Sequence, residues 1–223
     1  MEKQPEEVWF STAFMNTRYF FTNMQVMLDE KPGSKPTQEQ LERLIEIQQK
    51  YERGLPLTRS DAPLKFCNSY SDVRLKDVPE FSYCGGFFVI SSHFYSVIKN
   101  FNLGAGGAYP ITIYQWDRKT PFADDEYFLL YFGEQKTAFN LNASNQEKLV
   151  KYFVPEPVRW APLADIKDRE LAVDGSLASE GADLWIDRSV AGAFFLSDRL
   201  VKELKATKLS KRLSLHRCKI LMA

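Results

Sequence analysis

FFVISSHFYSVIKNF, residues 87–101, returns in altered form as AFFLSDRLVKELKA, residues 193–206. Sliding the chain against itself by 106 positions lays Phe88 on Phe194, Ile90 on Leu196, Ser91 on Ser197, Phe94 on Leu200, Ile98 on Leu204 and Lys99 on Lys205. Upstream, Asp77-Val78 falls on Asp183-Leu184 and Gly86 on Gly192. Downstream, after a slip of four residues, Ile111-Thr-Ile-Tyr114 falls on Leu213-Ser-Leu-His216. In each copy an apolar, aromatic run follows a glycine and stops at a serine, the pattern of a buried strand that ends at a helix N-cap. The serine hydroxyl can accept from the free amides of the first helical turn. Beyond it, Phe94, Val97, Ile98 and Phe101, and likewise Leu200, Val201 and Leu204, keep the three-and-four spacing of an amphipathic helix. The reading is an α+β fold with two related strand-helix-strand units in one core. Residues 1–69 form a preceding strand and helix region, and residues 70–223 the duplicated domain.

The first thirty residues hold strand-like aromatic runs, VWFSTAF and RYFFTNMQVML, with a helix as the alternative for residues 18–28. After PGSKP, Thr37-Gln-Glu-Gln40 has the form of a capping box. It opens a helix whose apolar face would be Leu41, Leu44, Ile45 and Tyr51 and which stops at Arg53, Gly54 and Pro56. GAGGAYP follows a helix and opens a strand, the reverse of a phosphate-binding loop, and reads as a turn. ITIYQW and EYFLLYF flank a long hairpin around DRKTPFADDE. A short helix is expected around Gln146 to Tyr152, then a proline-rich loop VPEPVRWAP, with LSLH and CKIL closing the chain as strands of opposite parity.

Composition excludes little. At 223 residues, 44% apolar and with 29 basic against 29 acidic residues, the chain can bury a sizeable core and has no net charge to attract nucleic acid or membrane. Cys67, Cys84 and Cys218 form neither an even disulfide set nor a zinc pattern, which points to a reducing compartment. The opening MEKQPEEV lacks the features of an export signal, so a cytoplasmic location is expected. The uncharged run from Phe81 to Ile98 has nearly the length of a membrane span, but its second copy carries Asp198, Arg199, Lys202 and Glu203, so a buried strand and helix is the reading.

The search for chemistry yields no catalytic, cofactor or metal residues. His93 and His216 have no ligand-spaced companion. Asp124-Asp125-Glu126 lacks the alternation and glycine of a calcium loop, and Cys84 reads as a small buried hydrophobe. Lys202, Lys205 and Lys208 begin a basic C-terminal stretch that could face nucleic acid or an acidic protein.

Asp77-Val-Pro79, Gly86-Phe-Phe-Val-Ile-Ser91, Tyr109-Pro-Ile111 and Glu126-Tyr-Phe-Leu-Leu130, with Asp183-Leu-Trp185 and Phe194-Phe-Leu-Ser197-Asp-Arg-Leu200, resemble the eleventh immunity-protein family of bacterial polymorphic toxin systems over roughly residues 70 to 220. The resemblance implies a cytoplasmic, non-enzymatic protein that binds and neutralises a cognate secreted toxin. It implies no catalytic residue and no cofactor. The residues themselves leave open a basic-patch nucleic-acid module or an enzyme with a dispersed site. For partner docking the long hairpin is the first candidate, through Trp116, Asp117, Arg118, Phe122, Asp124, Asp125 and Glu126, with a plain solvated loop as its alternative. The face carrying Lys202, Lys205 and Lys208 is the second.

Overall fold

The computed structural model describes residues 7–15, 23–122, 126–152 and 158–222. Two sheets share one apolar interior. The first holds β2 (Met24–Val26), β3 (Lys65–Asn68), β4 (Phe81–Cys84), β5 (Phe87–Ser91), β6 (Gly107–Tyr114) and β7 (Tyr127–Tyr131), in the order β2-β3-β6-β7-β5-β4. The second holds β1 (Val8–Ser11), β8 (Gln135–Lys136), β12 (Leu184–Asp187), β13 (Phe194–Ser197) and β14 (Leu215–Arg217), in the order β14-β1-β13-β12-β8. Two ribbons complete the chain: β9 (Leu149–Tyr152) with β10 (Arg159–Pro162), and β11 (Ala172–Asp174) with β15 (Lys219–Leu221). The helices are α1 (Gln38–Glu52), α2 (Ser92–Ile98), α3 (Gly175–Ser179) and α4 (Asp198–Ala206). Among the described residues, no helix is long and apolar enough to cross a membrane.

The repeated phrase folds as the same device twice. Ser91 caps α2 by accepting from the Phe94 amide at 3.1 Å, and Ser197 caps α4 by accepting from the Leu200 amide at 3.3 Å. An acidic residue braces each cap. The Ser91 amide donates to the Glu80 carbonyl and the Ser91 hydroxyl to the Glu80 carboxylate, just as Ser197 does to Asp183. A basic residue two positions beyond each serine closes the set: His93 Nδ1 lies 3.7 Å from Glu80, and Arg199 Nε 2.6 Å from Asp183.

The ladders correct the self-match at both ends. Ile90 faces Phe81 nine positions back, whereas Leu196 faces Leu184 twelve positions back, so the second hairpin turn is three residues longer. Glu80, not Asp77, is therefore the counterpart of Asp183. Downstream, Ser91 faces Tyr127, which faces Ile111; Ser197 faces Val8, whose carbonyl accepts from the Cys218 amide. Ile111 thus corresponds to Cys218 rather than to Leu213. In both sheets an antiparallel strand separates the strand before the helix from the strand after it. It is β7 in the first unit and β1 in the second.

The N-terminal residues are accordingly divided between the sheets: β1 sits within the second, and β2 and β3 extend the first. Both faces of the second sheet are buried, which explains its near-continuous apolar strands. Leu184, Ile186, Phe194 and Leu196 join the large cluster with Phe81, Phe88, Phe94 and Phe132. Val8, Phe10, Trp185 and Phe195 face a second cluster with Leu149, Ile166, Leu171, Val173 and Cys218. Phe194 lies 5.2 Å from Phe132 and 5.5 Å from Phe88 between ring centroids, which ties the two sheets together.

Several local readings change. The Thr37 capping box is present, but Leu41 and Ile45 are 39% and 50% exposed, and the buried side of α1 runs through Ile47 and Tyr51. The expected helix at Gln146–Tyr152 is a single tight turn, Gln146–Lys148, followed by β9, because Asn145 caps only the Glu147 amide and the chain then pairs with β10. Arg159–Pro162 of the proline-rich stretch is therefore strand, and residues 153–157 lie outside the described residues. Of the segment 18–28, Met24–Val26 is strand and residues 18–22 lie outside the described residues. The closing strands do break: after Cys218 the chain leaves β1 and pairs β15 with β11 in parallel.

Candidate functional site

The carboxyl end of α1, the long turn after β12, β8 and the ribbon β9/β10 meet around one buried cation. Arg159, the first residue of β10, is only 6% exposed. Its Nε donates to the Val190 carbonyl at 3.1 Å, and its Nη2 donates to the Glu52 carbonyl at 3.2 Å and again to Val190. Nη1 has no acceptor among the described residues. Burial weakens the protonated form of Arg159 and the Glu52 carboxylate supports it, while nearby Arg53 opposes it.

Arg159 separates two adjoining hollows. The first, of about 220 Å³, is lined by Phe14, Met15, Glu52, Tyr83, Tyr152 and Arg159, with Ala161, Ala191 and Gly192 at its back. The second, of about 250 Å³, is lined by Arg53, Leu55, Gln135, Arg159 and Arg188. Tyr152 and Arg159 are cross-strand partners and point to one face of the ribbon, with Val150 and Ala161 on the same side. Tyr152 and Met15 are each about two-fifths exposed, so the first hollow has an apolar, aromatic rim. Glu52 stands at its edge, its carboxyl pushed up by burial and held back by Arg159. In the second hollow, Arg188 Nε donates to Gln135 Oε1 at 3.1 Å and Gln135 Nε2 to the Arg53 carbonyl at 2.5 Å, which fixes the walls.

The backbone explains why the long turn fits. Gly192 has φ +67°, and a Cβ there would stand 2.6 Å from Met15 Sδ, so only glycine lets Met15 lie against the turn. The three extra residues of the second hairpin are what bring Arg188, Ala191 and Gly192 to the cleft. The first hairpin turns in two residues, Gly85 and Gly86, both at positive φ, and contributes Tyr83 from its strand.

The long hairpin is held differently. Arg118 is buried at φ +57°, and its Nη1 donates to the Asp29 and Lys31 carbonyls at 2.7 and 2.8 Å and to Ser34 Oγ. Asp117 accepts from the Thr120 hydroxyl and from the Lys119 and Thr120 amides, which in that order hold its carboxyl below the usual carboxylate range. Phe122 packs on the core 6.0 Å from Tyr127, Trp116 is half-buried, and Glu126 is exposed while its carbonyl accepts from Ser92. Asp124 and Asp125 lie outside the described residues. Trp116 and Asp117 border an open groove of about 470 Å³ with Asn68, Asp72 and Arg74, but Arg118 and Phe122 are committed inward.

On α4, Lys205 Nζ lies 3.7 Å above the Trp9 ring and Lys202 pairs with Asp198 at 2.6 Å, while Lys208 is exposed beyond the helix end. All three cysteines are buried with their thiols pushed up, desolvation leading in each case. His93 is exposed beside Glu80, and His216 stacks on Phe10 at 5.3 Å. No group of His, Cys, Asp and Glu suited to a metal ion occurs among the described residues. A scan against protein-family models and a search of curated proteins return no match.

Sequence reasoning missed the Arg159 cleft. Arg53 reads as a helix stop, Arg159 falls in a proline-rich stretch, and Arg188 belongs to no motif. The one usable signal was the extra length between Leu184 and Phe194 relative to its first copy, an insertion that the displaced self-match concealed.

Proposed function

We propose that this chain is a non-enzymatic immunity protein of the cytoplasm, which neutralises a cognate secreted toxin by binding it at the Arg159 cleft. One observation carries the docking site: Tyr83, Tyr152 and Met15 surround a desolvated arginine in a concave surface built on strands. Tight protein interfaces concentrate their energy in such aromatic and arginine anchors, held in a pocket and ringed by less critical contacts. The resemblance of residues 70 to 220 to the immunity family supplies the kind of partner. The long hairpin fits this role less well, since two of its residues are occupied in holding the fold.

The test is co-expression with the toxin domain encoded by the neighbouring gene. The expected result is a stoichiometric complex and rescued growth, with Tyr152→Ala weakening binding by about 2 kcal/mol or more at unchanged thermal stability. A turnover activity that tracks a point variant of this chain would overturn the reading. The exposed lysines of α4 favour one competing reading, a nucleic-acid module. Salt-sensitive retention of nucleic acid, lost in a Lys202, Lys205 and Lys208 triple alanine variant, would favour it instead.

A further inference from the structure

We infer that the recess formed by Arg53, Arg159 and Arg188 is an anion subsite that receives the carboxylates of an acidic segment of the partner protein; this rests on the binding role proposed above. Three guanidinium groups come from three elements: the C-cap of α1, the start of β10 and the residue after β12. Among the described residues, Leu55 and Gln135 complete the lining, and neither brings a compensating charge. Asp187, the buried carboxylate beside Arg188, is already taken, accepting from the Ala138, Phe139 and Ser189 amides at 2.7, 2.9 and 2.9 Å. Glu52 lines the other hollow.

Arg159 supplies the decisive observation. Arg159 is only 6% exposed, its Nε and Nη2 are fixed on carbonyl oxygens, and among the described residues Nη1 has no acceptor and Glu52, the carboxylate that supports the charge, makes no ion pair with it. Its orientation is paid for in the free protein, so an arriving oxyanion meets a donor that need not reorganise. Arginine forks suit carboxylate and phosphate alike. The neighbouring aromatic hollow decides between them, because it shares Arg159 and would take an apolar side chain next to the acidic one. The occupant is therefore a peptide segment in which aspartate or glutamate adjoins a large apolar residue.

The experiment follows the arginine Nε–H resonances of the full chain during titration with acetyl-Phe-Asp-Asp-amide, acetyl-Phe-Asn-Asn-amide and inorganic phosphate. Saturable shifts at Arg159 and Arg188 are expected with the aspartate peptide. Binding of the asparagine peptide should be about tenfold weaker or worse, as should binding of the aspartate peptide to Arg53→Ala and Arg188→Ala. Because the Arg159 side chain ties the Glu52 and Val190 carbonyls together, removing it perturbs the fold itself, so the two rim variants, with unchanged melting temperatures, carry the test. Equal binding of both peptides, or no response from either, overturns the inference. A response to phosphate alone also overturns it, by making the occupant a free anion. The toxin reading is judged separately: co-purification that survives in both rim variants would remove the recess from the interface and leave the complex standing.

Discussion

Changing one acid in each copy of the capping device should give very different losses, although the two stand in equivalent places. Asp183 has a side chain only 3% exposed and accepts four hydrogen bonds: from Arg199 Nε and Nη2 at 2.6 Å each, from Ser197 Oγ at 2.5 Å and from the Asn102 amide at 2.9 Å. In Asp183→Asn one oxygen remains, and the new amide points donors at donors. Hydrogen bonds to a charged group contribute about 1.5–3 kcal/mol each, but Arg199 is 62% exposed and regains water. The net loss should be about 2–4 kcal/mol. Glu80 is 51% exposed and its counterpart His93 54%, so Glu80→Gln should cost no more than about 0.5 kcal/mol. Burial raises the Asp183 carboxyl, but the Arg199 fork, the Ser197 hydroxyl and the Asn102 amide outweigh it and hold the group below its ordinary 3.8. A folded value below the unfolded one means that the stabilisation is complete above the unfolded value and lost as pH falls through the folded value. Urea denaturation of the parent and both variants from pH 7 to pH 3 measures this, with constant m-values as the check on two-state behaviour. The Asp183→Asn gap should narrow below about pH 4. Equal losses for the two substitutions, or a gap that widens in acid, would refute the reasoning.

Ser197→Ala and Ser91→Ala should each cost about 1 kcal/mol by removing the cap on α4 or α2, read as a lowered urea midpoint; two unchanged midpoints would mean that the caps contribute nothing. Lys136 is 9% exposed, donates to the Ala178 and Ala182 carbonyls and lies over Trp185, and burial pushes it down to about 8 from an ordinary 10.5. Because its folded value is the lower one, the unfolded chain binds more protons between these values, and this residue's contribution to stability rises with pH there. The stability difference between the parent and Lys136→Met, followed by urea denaturation from pH 7.5 to 10.5, should move in the parent's favour. A flat difference would mean that Lys136 titrates normally.

What the chain revealed in advance was whatever is decided within a few residues. Ser91, Ser197 and the Thr37–Gln40 box were readable because a cap satisfies amides three positions away, and the α+β character followed from the strand-like and helical periods on either side. Register was not readable. The Asp77 match failed because a hairpin turn can lengthen by three residues without disturbing the strands beyond it, and a sliding comparison cannot see which residue faces which. The cleft was hidden for a related reason. Arg53, Arg159 and Arg188 come from different elements, and nothing in their neighbours marks them as partners. In the long hairpin, Arg118 looked like a surface charge because the loop around Asp29 to Ser34 that captures it lies far away in sequence.

The strand that completes each repeat gives the duplication a structural consequence. In the first unit β7 fills the gap between β5 and β6 soon after they are made; in the second the gap between β13 and β14 is filled by β1, from the other end of the chain. The Trp9 indole reaches Asp198 across 189 positions of sequence. Contacts that distant bear the full cost of loop closure before they repay it, so the second sheet should be the slower one to form. The same event builds the cleft. β1 leads directly into Phe14 and Met15, whose place against Gly192 requires the strand to be seated between β13 and β14. An unseated β1 would leave the first hollow without Phe14 and Met15, even with Arg159 in position. Completion of the second repeat and closure of the first hollow are therefore one step, and the longer turn at Arg188 to Ala193 is where the second unit departs from the first.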